Sequence, residues 1–90
     1  MDETKSVLDE VSTERERQET KWGEQNHHPL LWLSILGEEY GEVCKEINDA
    51  LFTGELTKEK LVNYRMELIQ VAAVAVAAIE SLDRNKKDSK

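Results

Sequence analysis

The middle of the chain carries apolar residues at spacings of three and four, which is the pattern of one buried face of an α-helix. It predicts a helix over about residues 30–52, ended by Thr53 and Gly54, because glycine suits a left-handed C-terminal cap. Gly37 and Gly41 lie inside this helix, so we expect another helix to cross there at close range. The residues predicted to be buried are Leu33, Leu36, Tyr40, Val43, Ile47 and Leu51.

Two further helices are predicted, one on each side of this central stretch. The first covers about residues 3–21, although Thr13 and Glu16 have the spacing of a capping box, which would start the helix at Thr13 instead. The third covers about residues 57–83, with a threonine as its N-cap. The remaining residues, 84–90, are short and mixed in charge, and we expect a flexible tail.

The third helix is apolar on every side between Leu68 and Ile79, where Gln70 is the only polar residue. Such a helix must be buried on all sides, and three helices cannot easily enclose it. The sequence therefore predicts an all-α single domain over residues 1–90, a helical bundle completed by two-fold dimerisation. A monomer with a Val/Ala-rich central helix is the alternative. One predicted seam of this helix comprises Leu61, Leu68, Ala72, Ala75, Ile79 and Leu82.

Carboxylates accompany the apolar face of the central helix. Glu39, Glu42 and Glu46 share one border of that face, and like charges at this spacing repel. A divalent cation would offset the repulsion, whereas the alternative interpretation is a solvated acidic face. Glu67 and Gln70 lie in the most apolar helix, where an unpaired carboxylate is costly and requires a partner. The two helices together predict a metal site better than either one does.

Composition excludes several classes of function. The chain has 19 acidic and 12 basic residues and a net charge of −7, so we expect no binding to a nucleic-acid polymer or to an anionic membrane. A single cysteine allows no internal disulfide, and no apolar run reaches the roughly 20 residues that a membrane span needs. We expect a soluble, cytoplasmic protein. No serine or cysteine is placed as a covalent nucleophile.

The segment between the first two helices is rich in aromatic, amide and imidazole groups. It contains Lys21 and Trp22, followed by Asn26, and Trp32 comes soon after it. A tryptophan beside a lysine can stack on a base while the lysine holds a phosphate, but a tryptophan at a helix end can equally fill the core. Both interpretations stay open from the residues themselves.

Two short acidic motifs resemble a known family when they are taken together. Glu38-Glu-Tyr-Gly-Glu42 is followed, after 24 intervening residues, by Glu67-Leu-Ile-Gln70. This order resembles the paired motif of MazG-like nucleoside triphosphate pyrophosphohydrolases, in which Glu-x-x-Glu precedes Glu-x-x-Asp. Glu39, Glu42 and Glu67 match the first three acidic positions, and Gln70 stands at the fourth. The similarity extends from about Glu14 to Leu82.

The resemblance implies a helical homodimer or dimer of dimers that hydrolyses a nucleoside or deoxynucleoside triphosphate to the monophosphate and pyrophosphate. It implies Mg²⁺, or Mn²⁺ in its place, bound by Glu39, Glu42, Glu67 and Gln70, with the three glutamates catalytic. It also implies that Lys21, Trp22, Asn26 and Trp32 bind the substrate.

Gln70 is the departure from the family pattern, because its amide oxygen can ligate a metal but brings no negative charge. The alternative function is therefore a non-catalytic dimeric helical module that binds a nucleotide or a protein partner.

Overall fold

The computed structural model describes residues 1–86, which form three α-helices and no strand. The first helix, α1, spans Asp2–Trp22; α2 spans Pro29–Thr53; and α3 spans Lys58–Lys86. The all-α prediction is confirmed. Most of the segment predicted to be a flexible tail, residues 87–90, lies outside the described residues.

The helix boundaries follow from local chemistry. Gly23 ends α1 with φ 75°, and Gly54 ends α2 in the left-handed conformation with φ 70°. Pro29 opens α2, where its missing N–H costs nothing, and His28 Nδ1 accepts a hydrogen bond from the backbone N–H of Leu30 at 3.1 Å. The hydroxyl of Thr57 accepts one from the N–H of Lys60 at 3.1 Å. Glycine at a helix C-terminus, proline in the first turn and threonine at the N-cap are residue types that favour those positions.

Two predicted helix ends differ from the structure. Thr13 lies inside α1, where its hydroxyl donates to the backbone oxygen of Asp9 at 3.0 Å, so the alternative start at Thr13 is wrong. At the other end of the chain, α3 continues past residue 83 to Lys86. Its last turn is held because Arg84 donates to the backbone oxygen of Gln25 at 3.0 Å, a long-range contact that no local pattern reveals.

The third helix is the centre of the fold, since it packs against both α1 and α2. Among residues 1–86, α1 and α2 do not pack against each other, so α3 alone joins them along their length. The molecule is elongated, with principal extents of 53 × 31 × 25 Å. None of the helices in this described part is long and apolar enough to cross a bilayer.

The buried face of α2 differs from the predicted one. Leu33, Tyr40 and Leu51, three residues of the predicted seam, are exposed, whereas Val43 is buried as expected. The apolar surface of α2 is wider than one face, and periodicity does not decide which part meets α3. Packing against α3 decides it here: the core comprises Val11, Trp32, Val43, Ala50, Ala73 and Val74.

The expected close helix crossing at Gly37 and Gly41 is not formed within residues 1–86. A Cβ atom built at either glycine would meet nothing within 4 Å. The crossing prediction is therefore wrong for a single copy of the chain. The glycines lie beside the exposed Leu33 and Tyr40, on a surface of α2 that no helix in this part of the chain covers.

The apolar stretch of α3 is enclosed on one side only. Ala73 and Val74 are buried, but Leu68 and Ile79 are 42% and 57% exposed. The predicted seam that contains these two residues therefore faces outward in one copy of the chain. Dimerisation remains a prediction.

Candidate functional site

The three helices and the segment after α1 enclose a cavity of about 280 Å³. Its apolar wall includes Ile35 from α2 and Val74 and Ala77 from α3. Its remaining walls carry aromatic rings, arginines, carboxylates and amides. The volume is close to the lower end of the range for small-molecule sites, about 300–1,000 Å³.

Four of the residues that the sequence singled out line this cavity: Trp22, Trp32, Glu39 and Gln70. They come from the end of α1, from α2 and from α3, so the fold brings together residues up to 48 positions apart (70 − 22). Glu42, Glu67, Lys21 and Asn26 are not among the lining residues.

Glu39 lies at the meeting point of several carboxylates. Its side chain is half-buried, and burial is the main cause that raises its pKa above the usual value. The negative charges of Glu42, Glu67, Glu38 and Glu14 raise it further. Carboxylates from all three helices therefore act on Glu39. The acidic border that the sequence predicted on α2 is part of this group.

Glu67 carries a buried oxygen without a partner. Its Oε2 atom is inaccessible to solvent and has no hydrogen-bond partner among residues 1–86. Burial, followed by the charges of Glu46 and Glu42, raises the pKa of this carboxyl. Arg65, the neighbouring cation, pairs with Glu10 of α1 instead, with Nη1 2.9 Å from Oε1. Glu67 thus lacks the counter-charge that its position requires.

The acids as they stand do not form a finished metal site. Within residues 1–86, no group of three or more His, Cys, Asp or Glu side chains is arranged so that it could hold a metal ion. The donor set of Glu39, Glu42, Glu67 and Gln70 is nevertheless all oxygen, which suits Mg²⁺. The unpartnered oxygen of Glu67 also fits a cation better than it fits an acid-rich surface.

The two tryptophans differ in their surroundings. Trp32 is only 5% exposed and its indole N–H has no acceptor among residues 1–86, while the His27 ring packs edge-on against it with 5.0 Å between centroids. Trp22 is 54% exposed, and Lys21 Nζ lies 4.7 Å from its ring centroid. Lys21 therefore makes a cation–π contact outside the cavity lining.

Three arginines line the cavity, although none was singled out as a site residue from the sequence. Arg15 Nε donates to Glu80 of α3 at 2.9 Å, and its side chain is 15% exposed. Arg84 Nε donates to Asn26 Oδ1 at 3.1 Å. Arg17 pairs with Glu14 through two hydrogen bonds of 2.8 and 2.7 Å. They provide the cationic wall that Lys21 was expected to supply.

Glu14 and Gln18 were missed as well, and both line the cavity. The charge-dense run from Glu14 to Glu19 resembles a solvated helix face, which hides its inward members. A signal was present, however, because Val11, Gln18 and Trp22 continue one heptad stripe along α1. Gln18 is 9% exposed, so the stripe marks the inward side even where it becomes polar.

The cavity lining therefore combines two chemically distinct sets of side chains. Aromatic rings and arginine side chains suit a flat base and anionic phosphates, whereas oxygen donors beside them suit a hard divalent cation. A comparison of the chain with protein-family models, curated proteins and solved structures gives no match.

Proposed function

We propose that this protein hydrolyses a nucleoside or deoxynucleoside triphosphate to the monophosphate and pyrophosphate, with Mg²⁺ as its metal. One observation supports this function above the others. A single cavity is lined by two tryptophans, three arginines, Glu39 and Gln70. Glu67 is not a lining residue, but its charge raises the pKa of Glu39, and one of its oxygens is buried without a hydrogen-bond partner among residues 1–86. The tryptophans suit the base, the arginines suit the phosphates, and the carboxylates with Gln70 suit the metal.

Glu39, Glu42, Glu67 and Gln70 would hold the metal, and Mn²⁺ would serve in place of Mg²⁺. When bound, the ion supplies charge neutralisation of the triphosphate and acidifies a water molecule. Burial, and after it the repulsion by nearby carboxylates, raises the pKa of Glu39 and of Glu67 in the metal-free protein. A cation bound by these carboxylates would offset their mutual repulsion, so the same acids that destabilise one another in the metal-free protein would serve as its ligands.

The protein's own residues then position the substrate. Arg15, Arg17 and Arg84 bind the phosphate oxygens, and Trp22 with Trp32 holds the base between aromatic faces. Glu42 is not a lining residue, but its charge acts on Glu39, and we assign to it the orientation of the attacking water and the acceptance of its proton. The water oxygen forms a bond to the α-phosphorus while the bond between the α-phosphorus and the α–β bridging oxygen breaks, and pyrophosphate leaves with the bridging oxygen.

The active form is proposed to be a homodimer, or a dimer of dimers. The outward stripes of α2 and α3 contain large apolar side chains, and Leu33, Leu51 and Ile79 are 66%, 75% and 57% exposed. Exposed apolar side chains that repeat along one helix face often mark an interaction surface. A second copy of the chain would cover it and supply the crossing that Gly37 and Gly41 favour.

A non-catalytic nucleotide-binding module is the second candidate. It is favoured by Gln70, which lines the cavity without bringing a charge, and by the lack, among residues 1–86, of an acidic group already arranged for a metal. The cavity would serve such a module unchanged.

The two functions separate in one assay. The protein is incubated with each common NTP and dNTP plus Mg²⁺ or Mn²⁺, and the products are separated by anion-exchange chromatography. We expect monophosphate and pyrophosphate in equal amounts from at least one substrate. Glu39→Gln and Glu67→Gln should each lower kcat by about 100-fold or more, since each removes a metal-binding charge.

Glu38→Gln is the matched control, because Glu38 is the exposed neighbour of Glu39 and loses the same charge. It should keep activity within about threefold of the unmodified protein. Circular dichroism confirms that each variant is folded. A folded, unmodified protein that turns over none of the substrates would exclude the enzyme and leave the binding module.

A further inference from the structure

The two tryptophans that line the cavity offer different groups to a ligand. Trp22 is 54% exposed, so much of its indole ring is open to a flat molecule. Trp32 is only 5% exposed, and the His27 ring packs edge-on against it with 5.0 Å between centroids. Trp32 therefore offers a ligand less ring surface than Trp22 does, but it also carries a buried polar group, the indole N–H.

The indole N–H of Trp32 has no hydrogen-bond acceptor among residues 1–86. Its nitrogen is inaccessible to solvent, so bulk water does not supply an acceptor either. Buried donors in proteins are almost always paired, and an unpaired one destabilises the protein. A ligand in the cavity that presents an acceptor to Trp32 removes this cost, after a small movement of the side chains that cover the nitrogen.

The surroundings of Trp32 favour an uncharged acceptor. Ile35, one turn further along α2, and Val74 of α3 line the same cavity, and Val74 is buried. A phosphate buried against such apolar side chains is costly, whereas the carbonyl oxygens and ring nitrogens of a nucleobase are neutral acceptors on a flat ring. The arginines of the lining are charged donors and suit the phosphates better.

We propose that the indole N–H of Trp32 donates a hydrogen bond to a carbonyl oxygen or ring nitrogen of the nucleobase, so that Trp32 recognises the edge of the base while Trp22 stacks on its face. This inference rests on the proposed function. It makes Trp32 a specificity-determining residue, because an indole N–H is a donor only. A base that turns an amino group toward Trp32 leaves two buried donors facing each other and is disfavoured.

Nuclear magnetic resonance of the nitrogen-15-labelled protein tests this contact directly. The chain has two tryptophans and therefore two indole N–H signals, and Trp22→Phe in the ligand-free protein identifies the signal of Trp32. The unmodified protein is titrated with the α,β-methylene analogues of the common NTPs and dNTPs plus Mg²⁺, and separately with inorganic tripolyphosphate plus Mg²⁺. We expect the Trp32 proton to move downfield with at least one analogue and to stay in place with tripolyphosphate.

Replacement of Trp32 by 3-benzothienylalanine, in which sulfur replaces the N–H and the ring shape is kept, gives a second measurement. Binding of the analogue that moves the signal should weaken by about three- to tenfold, the loss expected for one hydrogen bond to a neutral acceptor. The ligand-free variant should at the same time melt at a higher temperature, because an unpaired buried donor is gone. The same replacement at Trp22 is the matched control and should change neither quantity, since stacking does not use the N–H.

An analogue that binds without moving the Trp32 signal downfield, or an equal shift with tripolyphosphate alone, would overturn this role of Trp32 and leave the proposed hydrolysis intact. Unchanged affinity in the folded Trp32 variant would do the same. A protein that binds none of the analogues would overturn the role of Trp32 as well, but the proposed function falls only if the protein also turns over no NTP or dNTP.

Discussion

Glu39 and Glu67 lie where their charges are disfavoured, since burial and neighbouring acids both raise the pKa of each carboxyl. Partly buried carboxyls with raised pKa values are a stability cost, and such costs concentrate at functional sites. Both were identifiable from the sequence, because spacing places them on apolar helices. The arginines were not, because local spacing does not show that they line the cavity: Arg17 pairs with Glu14 on its own helix, as on a solvated face, and Arg15 pairs with Glu80, 65 positions away.

The raised pKa values predict how stability depends on pH. A carboxyl whose pKa is higher in the folded state binds protons more readily there, so its contribution is most favourable below the unfolded value of 4.5. That contribution is lost as pH rises through the folded pKa. Without metal, Glu39→Gln and Glu67→Gln should therefore melt at a higher temperature than the unmodified protein at pH 7.5.

This advantage should disappear at pH 4, where the native carboxyls are largely protonated, and thermal unfolding at the two pH values measures it. Glu14→Gln should behave in the opposite way, because the Arg17 hydrogen bond lowers the pKa of Glu14 and its stabilising effect is lost as pH falls. Equal melting temperatures for Glu67→Gln and the unmodified protein at both pH values would contradict this account.

At the level of the helices, the sequence predicted where each helix begins and ends more closely than it predicted which face of the helix is buried. Gly23, Pro29 and Gly54 end or begin helices as their backbone preferences require. The buried face of α2 includes Trp32 rather than Leu33, because packing against α3 decides between two apolar stripes. The extension of α3 to Lys86 likewise depends on Arg84 and the segment after α1, which are remote in sequence.

The N-terminal cap of α3 gives an element-level prediction. The Thr57 hydroxyl accepts a hydrogen bond from the N–H of Lys60 at 3.1 Å, so Thr57→Ala should lower the free energy of unfolding by about 1 kcal/mol. Urea denaturation measures the change. Thr20→Ala, at an exposed position inside α1, is the control and should cause no loss. A loss of equal size in both variants would refute the capping role.

At the scale of the whole molecule, one copy of the chain leaves too much apolar surface exposed. Leu68, Ile79 and Leu82 form an uncovered stripe on α3, and they are 42%, 57% and 47% exposed. The sequence predicted that the helix is apolar on all sides, and three helices of this length cover only part of it. A second copy of the chain, which we propose covers the rest, cannot be identified from the packing of one chain.

Light scattering at micromolar concentration should accordingly give at least twice the monomer mass. Leu68→Glu and Ile79→Glu should each shift the protein toward monomer, because a charge buried at an apolar interface is strongly disfavoured. Leu8→Glu is the control, since Leu8 is 60% exposed and belongs to α1, not to the stripe of α3. A monomeric unmodified protein would rule out the dimer.

We propose above all that water attacks the α-phosphorus of a nucleoside triphosphate in this cavity. Hydrolysis in water enriched in oxygen-18, followed by mass spectrometry of both products, tests this attack most directly. We expect one labelled oxygen in the nucleoside monophosphate and none in pyrophosphate. Label in pyrophosphate, release of inorganic phosphate instead, or no turnover by the folded protein would contradict it.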